Sequence, residues 1–95
     1  MIESRHLVHI LALAEYQHYG RAAAAVHLTQ PALTRSIQAA ERSLGVRLFD
    51  RSRSGVEPTL YGRLVVERGE RALAEIRELE REISRRRGLA AGNLA

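Results

Sequence analysis

Gln30, Thr34, Arg35 and Gln38 are spaced so that on an α-helix they share one face. Their side chains suit the flat hydrogen-bonding edges of nucleic-acid bases. A guanidinium pairs in bidentate fashion with guanine, and a carboxamide does so with adenine. Pro31 and Ala32 beside them offer small apolar surfaces of the kind that meets a thymine methyl. Gln38, one turn further on, suits either a base or a phosphate. The plain alternative for both glutamines is a solvated helix face.

Few other residue sets in the chain could do chemistry. There is no cysteine, which removes disulfides, thiol catalysis and cysteine zinc sites. There is also no glycine-rich phosphate loop, no His-Glu-x-x-His and no nucleophile-base set, so an enzyme is the poorest reading. His6 and His9 stand at i, i+3 without a third ligand at helical spacing, and read as a partly exposed or packed pair with no metal and no cofactor.

The basic face needs elements to hold it. Ser4 can cap a first helix with Leu7, Ile10, Leu11 and Ala14 on its buried side. Gly20 marks a break, and a short alanine-rich helix is expected over Arg21 to His27. Thr29 is an N-cap signal, with Gln30 and Pro31 in the first turn. The third helix that follows buries Leu33, Ile37, Ala40 and Leu44, and Gly45 stops it. Two helices joined by so short a turn, the second with a polar and arginine face, form a helix-turn-helix pattern.

Val46 to Arg51 and Val56 to Pro58 flank a Ser-Arg-Ser-Gly turn and read as a β-hairpin, a wing with Arg53 at its tip. Thr59 caps a fourth helix expected to run to about Arg87, with Gly88 as its stop. Val65, Gly69, Ala72, Ile76, Leu79 and Ile83 recur along it at heptad-like spacing, with Leu73 on the flank. Glu67 with Arg71 and Glu82 with Arg86 form i, i+4 pairs between them. So narrow a stripe on so long a helix calls for a second helix, a copy of itself, and the dimer contacts assigned are Val65, Ala72, Ile76, Leu79 and Ile83.

Charge agrees with this division. All 15 basic residues are arginine, against 11 acids, for a net charge of +4. Between Arg21 and Arg53 arginines exceed acids by that same amount, whereas beyond Val56 the two signs nearly cancel. A basic middle third suits a polyanion, although charge alone is equally met by a solvated surface. The arginines do not gather on one amphipathic helix, which disfavours a membrane surface, and no apolar run approaches a membrane span. The polar start does not read as a signal peptide, so a cytoplasmic protein is expected.

Several runs carry a more specific signal. Arg5-His6-Leu7, Arg21-Ala22-Ala23, Leu28-Thr29-Gln30-Pro31-Ala32-Leu33-Thr34-Arg35-Ser36-Ile37, the run from Glu41 to Arg51, and Thr59-Leu60-Tyr61-Gly62 occur in order and without gaps. Together they resemble the N-terminal domain of LysR-type transcriptional regulators over about residues 3–88. The resemblance implies a mainly α fold: a winged helix-turn-helix of three helices plus a short β-hairpin wing, followed by a long dimerising linker helix. It divides the chain into a DNA-binding head (1–58), a linker helix (59–88) and a hinge (89–95) leading to an effector domain outside the chain. It also implies double-stranded DNA as partner, a pseudo-palindromic operator read by a homodimer, and a tetramer in the full-length regulator.

On that footing the recognition helix is residues 30–44 in the major groove, and the wing is residues 47–57 at the minor groove. The DNA-binding residues expected are Gln30, Pro31, Thr34, Arg35, Gln38 and Arg53, with Arg21 and Thr29 at helix N-termini that favour phosphate. Arg42 and Arg47 are weaker phosphate candidates, and Arg51 is open between DNA contact and a structural ion pair. The chain departs from the family where His18-Tyr19-Gly20 replaces the common Ser-Phe-Thr, so no phosphate contact from a hydroxyl cap is carried over. Pro58 and Tyr61 stand where leucine and alanine are common, and are expected to alter the angle at the wing-to-helix junction. The competing reading is a winged-helix protein-interaction module with a helical dimerisation arm.

Overall fold

The computed structural model describes residues 1–94, with side chains described through Leu89. Six elements follow in chain order: α1 (Ser4–Tyr16), α2 (Tyr19–Ala25), α3 (Gln30–Leu44), β1 (Phe49–Ser52), β2 (Gly55–Pro58) and α4 (Leu60–Leu94). Helices α1, α2 and α3 enclose a core in which Ile10, Leu13, Leu33, Ile37 and Leu48 are fully buried, closed by Phe49 and Val56 from the hairpin. The strands pair antiparallel from Phe49 opposite Pro58 to Ser52 opposite Gly55, leaving Arg53 and Ser54 at the tip.

The helix boundaries follow local chemistry. Helix α3 starts where the Thr29 hydroxyl accepts the Ala32 N–H at 3.2 Å, and ends at Gly45 in the left-handed conformation, both as expected. Helix α4 starts where the Thr59 hydroxyl accepts the Gly62 N–H at 3.1 Å. That hydroxyl also donates to the Arg47 carbonyl at 2.7 Å, and the Thr59 N–H donates to the Leu48 carbonyl at 2.9 Å. The root of the long helix is thereby fastened to the strand entry.

Other boundaries differ from the sequence expectation. The N-cap of α1 is Glu3, not Ser4, and the Glu3 N–H donates to His6 Nδ1 at 3.0 Å. The break before α2 falls at Gln17, whose φ of 53° is left-handed, so Gly20 lies inside the helix and α2 ends at Ala25. Leu44 is 40% exposed rather than buried: it is the last residue of α3, and the core beyond the helix end is continued by the buried Leu48 and Phe49.

The largest difference is the length of α4. Gly88 does not stop it, and the backbone stays helical to Leu94 through most of the expected hinge; Ala95 lies outside the described residues. No proline follows Gly88, its φ is not positive, and a glycine inside a helix costs only about 1 kcal/mol against alanine. The helix makes the molecule elongated. Its radius of gyration is 16.5 Å, against about 12 Å for a compact chain of this length, and its long axis is 59 Å.

Helix α4 carries two apolar stripes, not one. Gly62, Val66, Gly69 and Leu73 face the head, chiefly α1, with Leu73 only 7% exposed. Gly62 sits so close that a Cβ there would lie 2.1 Å from the Leu48 carbonyl oxygen. Val65 is also half-buried against the head core. Ala72, Ile76, Leu79 and Ile83 lie on the exposed surface, the last three at 39%, 60% and 51%. Arg71–Glu67 (3.6 Å) and Arg86–Glu82 (2.9 Å) form the expected pairs, and Arg81–Glu78 (2.9 Å) and Arg85–Glu78 (3.2 Å) extend the network.

Candidate nucleic-acid interface

Helix α3 buries Leu33, Ile37 and Ala40 against the head, which forces the opposite side outward. That side presents Gln30, Pro31, Arg35, Gln38 and Arg42, all exposed, while Thr34 is half-buried at its edge. Ala32, half-buried, lines a cleft against α1 together with Arg35. Among the described residues, Arg21, Arg35, Arg42 and Arg53 have no ion-pair partner. Arg47, by contrast, is engaged with Asp50 at 3.1 Å and with the Phe49 carbonyl at 3.0 Å, so it braces the strand entry.

The N-terminus of α2 stands beside the start of α3. Its cap is His18, whose Nδ1 accepts the Arg21 N–H at 3.1 Å, so an imidazole does the work of the absent hydroxyl. Gly20 makes room for it: a Cβ there would lie 3.0 Å from the His18 ring and 3.7 Å from Gln30 Oε1. The exposed Arg21 and Thr29 flank this junction of two helix N-termini, whose free N–H groups favour an anion.

The wing is fastened to the same side of the head. The Val56 N–H donates to the Gln17 carbonyl at 3.1 Å, and Gly55, at φ 131°, leaves no room for a Cβ, which would lie 2.4 Å from that carbonyl oxygen. Arg51 forms a contact that neither expectation named. Its guanidinium lies 5.6 Å from the centre of the Tyr19 ring, a cation–π contact between wing and α2, and it has no ion-pair partner among the described residues. Burial holds the Tyr19 hydroxyl above its ordinary pKa, with Glu41 adding to the effect. The Glu41 carboxylate accepts the Leu48 N–H at 2.7 Å and so ties α3 to the strand entry. Arg53 projects from the wing tip with no such attachment.

The histidines of α1 are structural. His6 is buried and caps its own helix, and His9 Nδ1 meets the Ser36 hydroxyl at 2.6 Å, bridging α1 to α3. Burial lowers the His9 pKa below its ordinary value, with His6 and then Arg5 adding to the effect. Sequence reasoning missed the His18 cap, the Glu41 tie and the Tyr19–Arg51 contact. Only the helix-start position of His18 signalled any of them: the Glu41 tie depends on how the chain turns between α3 and β1, and the Tyr19–Arg51 contact joins elements distant in sequence.

Residues 4–63 match the family model described as bacterial regulatory helix-turn-helix protein, lysR family. The chain is 49% identical over 94 residues to the SDS degradation transcriptional activation protein of Pseudomonas sp., covering 99% of this chain and 31% of that protein. It is 43% identical over 84 residues to the HTH-type transcriptional regulator ClcR of Pseudomonas putida, covering 88% of this chain and 28% of ClcR. The chain thus spans about a third of the length of the curated relatives it matches. Among solved structures, a BenM_DBD/benA site 1 DNA complex superposes with a TM-score of 0.82 at 30% identity, covering 87% of this chain and 93% of that one. Vibrio fischeri DarR in complex with DNA gives a TM-score of 0.88 at 30% identity, over 94% of this chain and 30% of that one.

Proposed function

This chain belongs to the lysR family of bacterial regulatory helix-turn-helix proteins and forms the DNA-binding domain of a transcriptional regulator, and from that premise we propose how it reads its site. Helix α3 enters the major groove with Gln30, Pro31, Thr34 and Arg35 nearest the bases and Gln38 one turn behind. Arg53 reaches the minor groove from the wing tip, while Arg21 and Thr29 take phosphates at the α2–α3 junction. The observation that carries this reading is the outward face of α3: exposed amide and guanidinium groups, free of ion pairs among the described residues, on a rigid three-helix support. A protein-binding face would carry exposed large apolar groups, and the one on α3 is Leu44 in its last turn. That disfavours the interaction-module alternative.

The exposed stripe of Ile76, Leu79 and Ile83 supports a homodimer in which two long helices bury these side chains against each other, with Ala72 allowing close approach. Each large residue so covered contributes roughly 1 kcal/mol from its remaining exposure. Val65, already against the head, has less to offer the partner. Such a dimer presents two α3 helices to the halves of a pseudo-palindromic operator. We propose that the full regulator is a non-enzymatic cytoplasmic tetramer with an effector domain beyond this chain. Relatives described as transcriptional regulators, of whose length this chain spans about a third, support the regulatory role and the further domain.

The test is selection of bound sequences from a random DNA pool with the native chain and with Arg35→Ala. The native chain should return paired half-sites. The variant should lose preference at one position of each, by about 2 kcal/mol of discrimination. Identical preferences for the two proteins would refute the assignment of Arg35.

A further inference from the structure

A cleft of about 300 Å³ separates the first turns of α1 from α3, lined by Arg5 and His9 on one side and by Ala32, Arg35, Ser36 and Ala39 on the other. Among the described residues no acidic side chain lines it. Its volume takes a phosphate group together with several waters, at about 30 Å³ of liquid per water. The His9–Ser36 contact at 2.6 Å fixes the separation of its walls. His6 Nδ1 is occupied by the Glu3 N–H, so Arg5 and Arg35 supply the charge.

The place of the cleft in the fold gives it a task. The major groove is about 12 Å wide and a helix with its side chains about as broad, so a helix lying in the groove has a sugar–phosphate strand along each flank. One flank of α3 has the α2 N-terminus beside it, where His18 and Gly20 approach Gln30. The Ala32–Ser36–Ala39 flank points the other way, into the cleft. Arg35 stands at the boundary between the groove-facing surface and this second flank.

Resting on the DNA-binding reading above, we infer that the α1–α3 cleft receives a backbone phosphate of the strand opposite the one met by α2, with Arg5 as its ligand and His9 and Ser36 setting the gap. Arg5 is 3.2 Å from Glu3, both side chains being largely exposed. An exposed pair of this kind contributes about 0–1 kcal/mol, so a phosphate can displace Glu3 at small cost. The contact adds affinity without sequence information. It also braces Arg35 from the side away from α2, which orients α3 in the groove.

The experiment titrates fluorescent operator-like and random duplexes with native chain, Arg5→Gln and Arg87→Gln across a range of salt. Arg87→Gln makes the same charge change far along α4. Circular dichroism first checks that both variants keep the native helix content. Arg5→Gln should bind both duplexes about tenfold more weakly at low salt. The slope of log affinity against log salt should shrink by about 0.9, the value of one phosphate, while Arg87→Gln leaves it unchanged. A slope for Arg5→Gln equal to that of Arg87→Gln overturns the cleft site, as does a loss confined to the operator-like duplex, which would make Arg5 a base reader. If the native chain itself shows no salt-dependent binding, the DNA reading falls and the cleft site with it. Native binding with an unmoved Arg5→Gln slope removes the cleft site alone.

Discussion

The inner and outer halves of α4 come from one amphipathic run and live in different surroundings. The inner half, from Leu60 to Leu73, lies on the strand entry through Gly62 and on α1 through Gly69 and Leu73. The outer half stands clear of the head, with Ile76, Leu79 and Ile83 half to mostly exposed amid arginine–glutamate pairs. The difference shows how one helix divides stability from assembly. Small residues let the inner half approach backbone closely, whereas large apolar residues left uncovered reserve the outer half for another surface.

The sharpest way to break this contrast is Gly62→Ala. The added Cβ would collide with the Leu48 carbonyl, so undocking of α4 and a loss of about 3 kcal/mol are expected. Urea denaturation checks this, and native-like stability would show that the inner contact is looser than drawn. Next comes a matched pair, Leu73→Ala and Leu79→Asp. The first should cost the head about 2–3 kcal/mol through a core cavity. The second should leave thermal unfolding unchanged when measured at concentrations below dimer formation, yet yield monomers in sedimentation and weaken operator binding. A persistent dimer of Leu79→Asp would move the interface elsewhere.

The smallest effect concerns pH. His9 is held below its ordinary pKa by burial, then by His6 and Arg5, so the folded head favours its neutral form. The unfolded chain takes up the proton first as pH falls. The contribution of His9 is therefore complete above about 6.5 and declines as pH drops through the lowered value. His9→Gln should flatten the acid limb of a stability–pH curve. An unaltered limb would assign acid sensitivity to other groups.

Much of the head was legible because its signals are local. Thr29 with Pro31, Gly45 after Leu44, and Thr59 ahead of Gly62 each fix a helix end through the residue's own chemistry. The outward face of α3 followed from periodicity alone. What failed needed neighbours. Gly20 reads as a breaker until the His18 ring is placed beside it, and Gly88 reads as a stop although the chain after it is rich in helix formers. Leu44 fits the core pattern but stands in the last turn of α3 and is exposed, while Leu48 and Phe49 are the next residues along the chain to be buried. The heptad-like spacing of α4 foretold an apolar stripe without saying which part of it the head would claim, since periodicity names a face and not what covers it.

The docking of α4 from Thr59 to Leu73 also makes the rest of the helix a lever arm. Beyond Leu73 it runs to Leu94 at 1.5 Å per residue, about 30 Å, so a tilt of roughly 10° at the end of the docked part swings the far end by about 5 Å. A small change in angle where Leu73 meets the head is thereby magnified into a displacement close to half the width of the major groove.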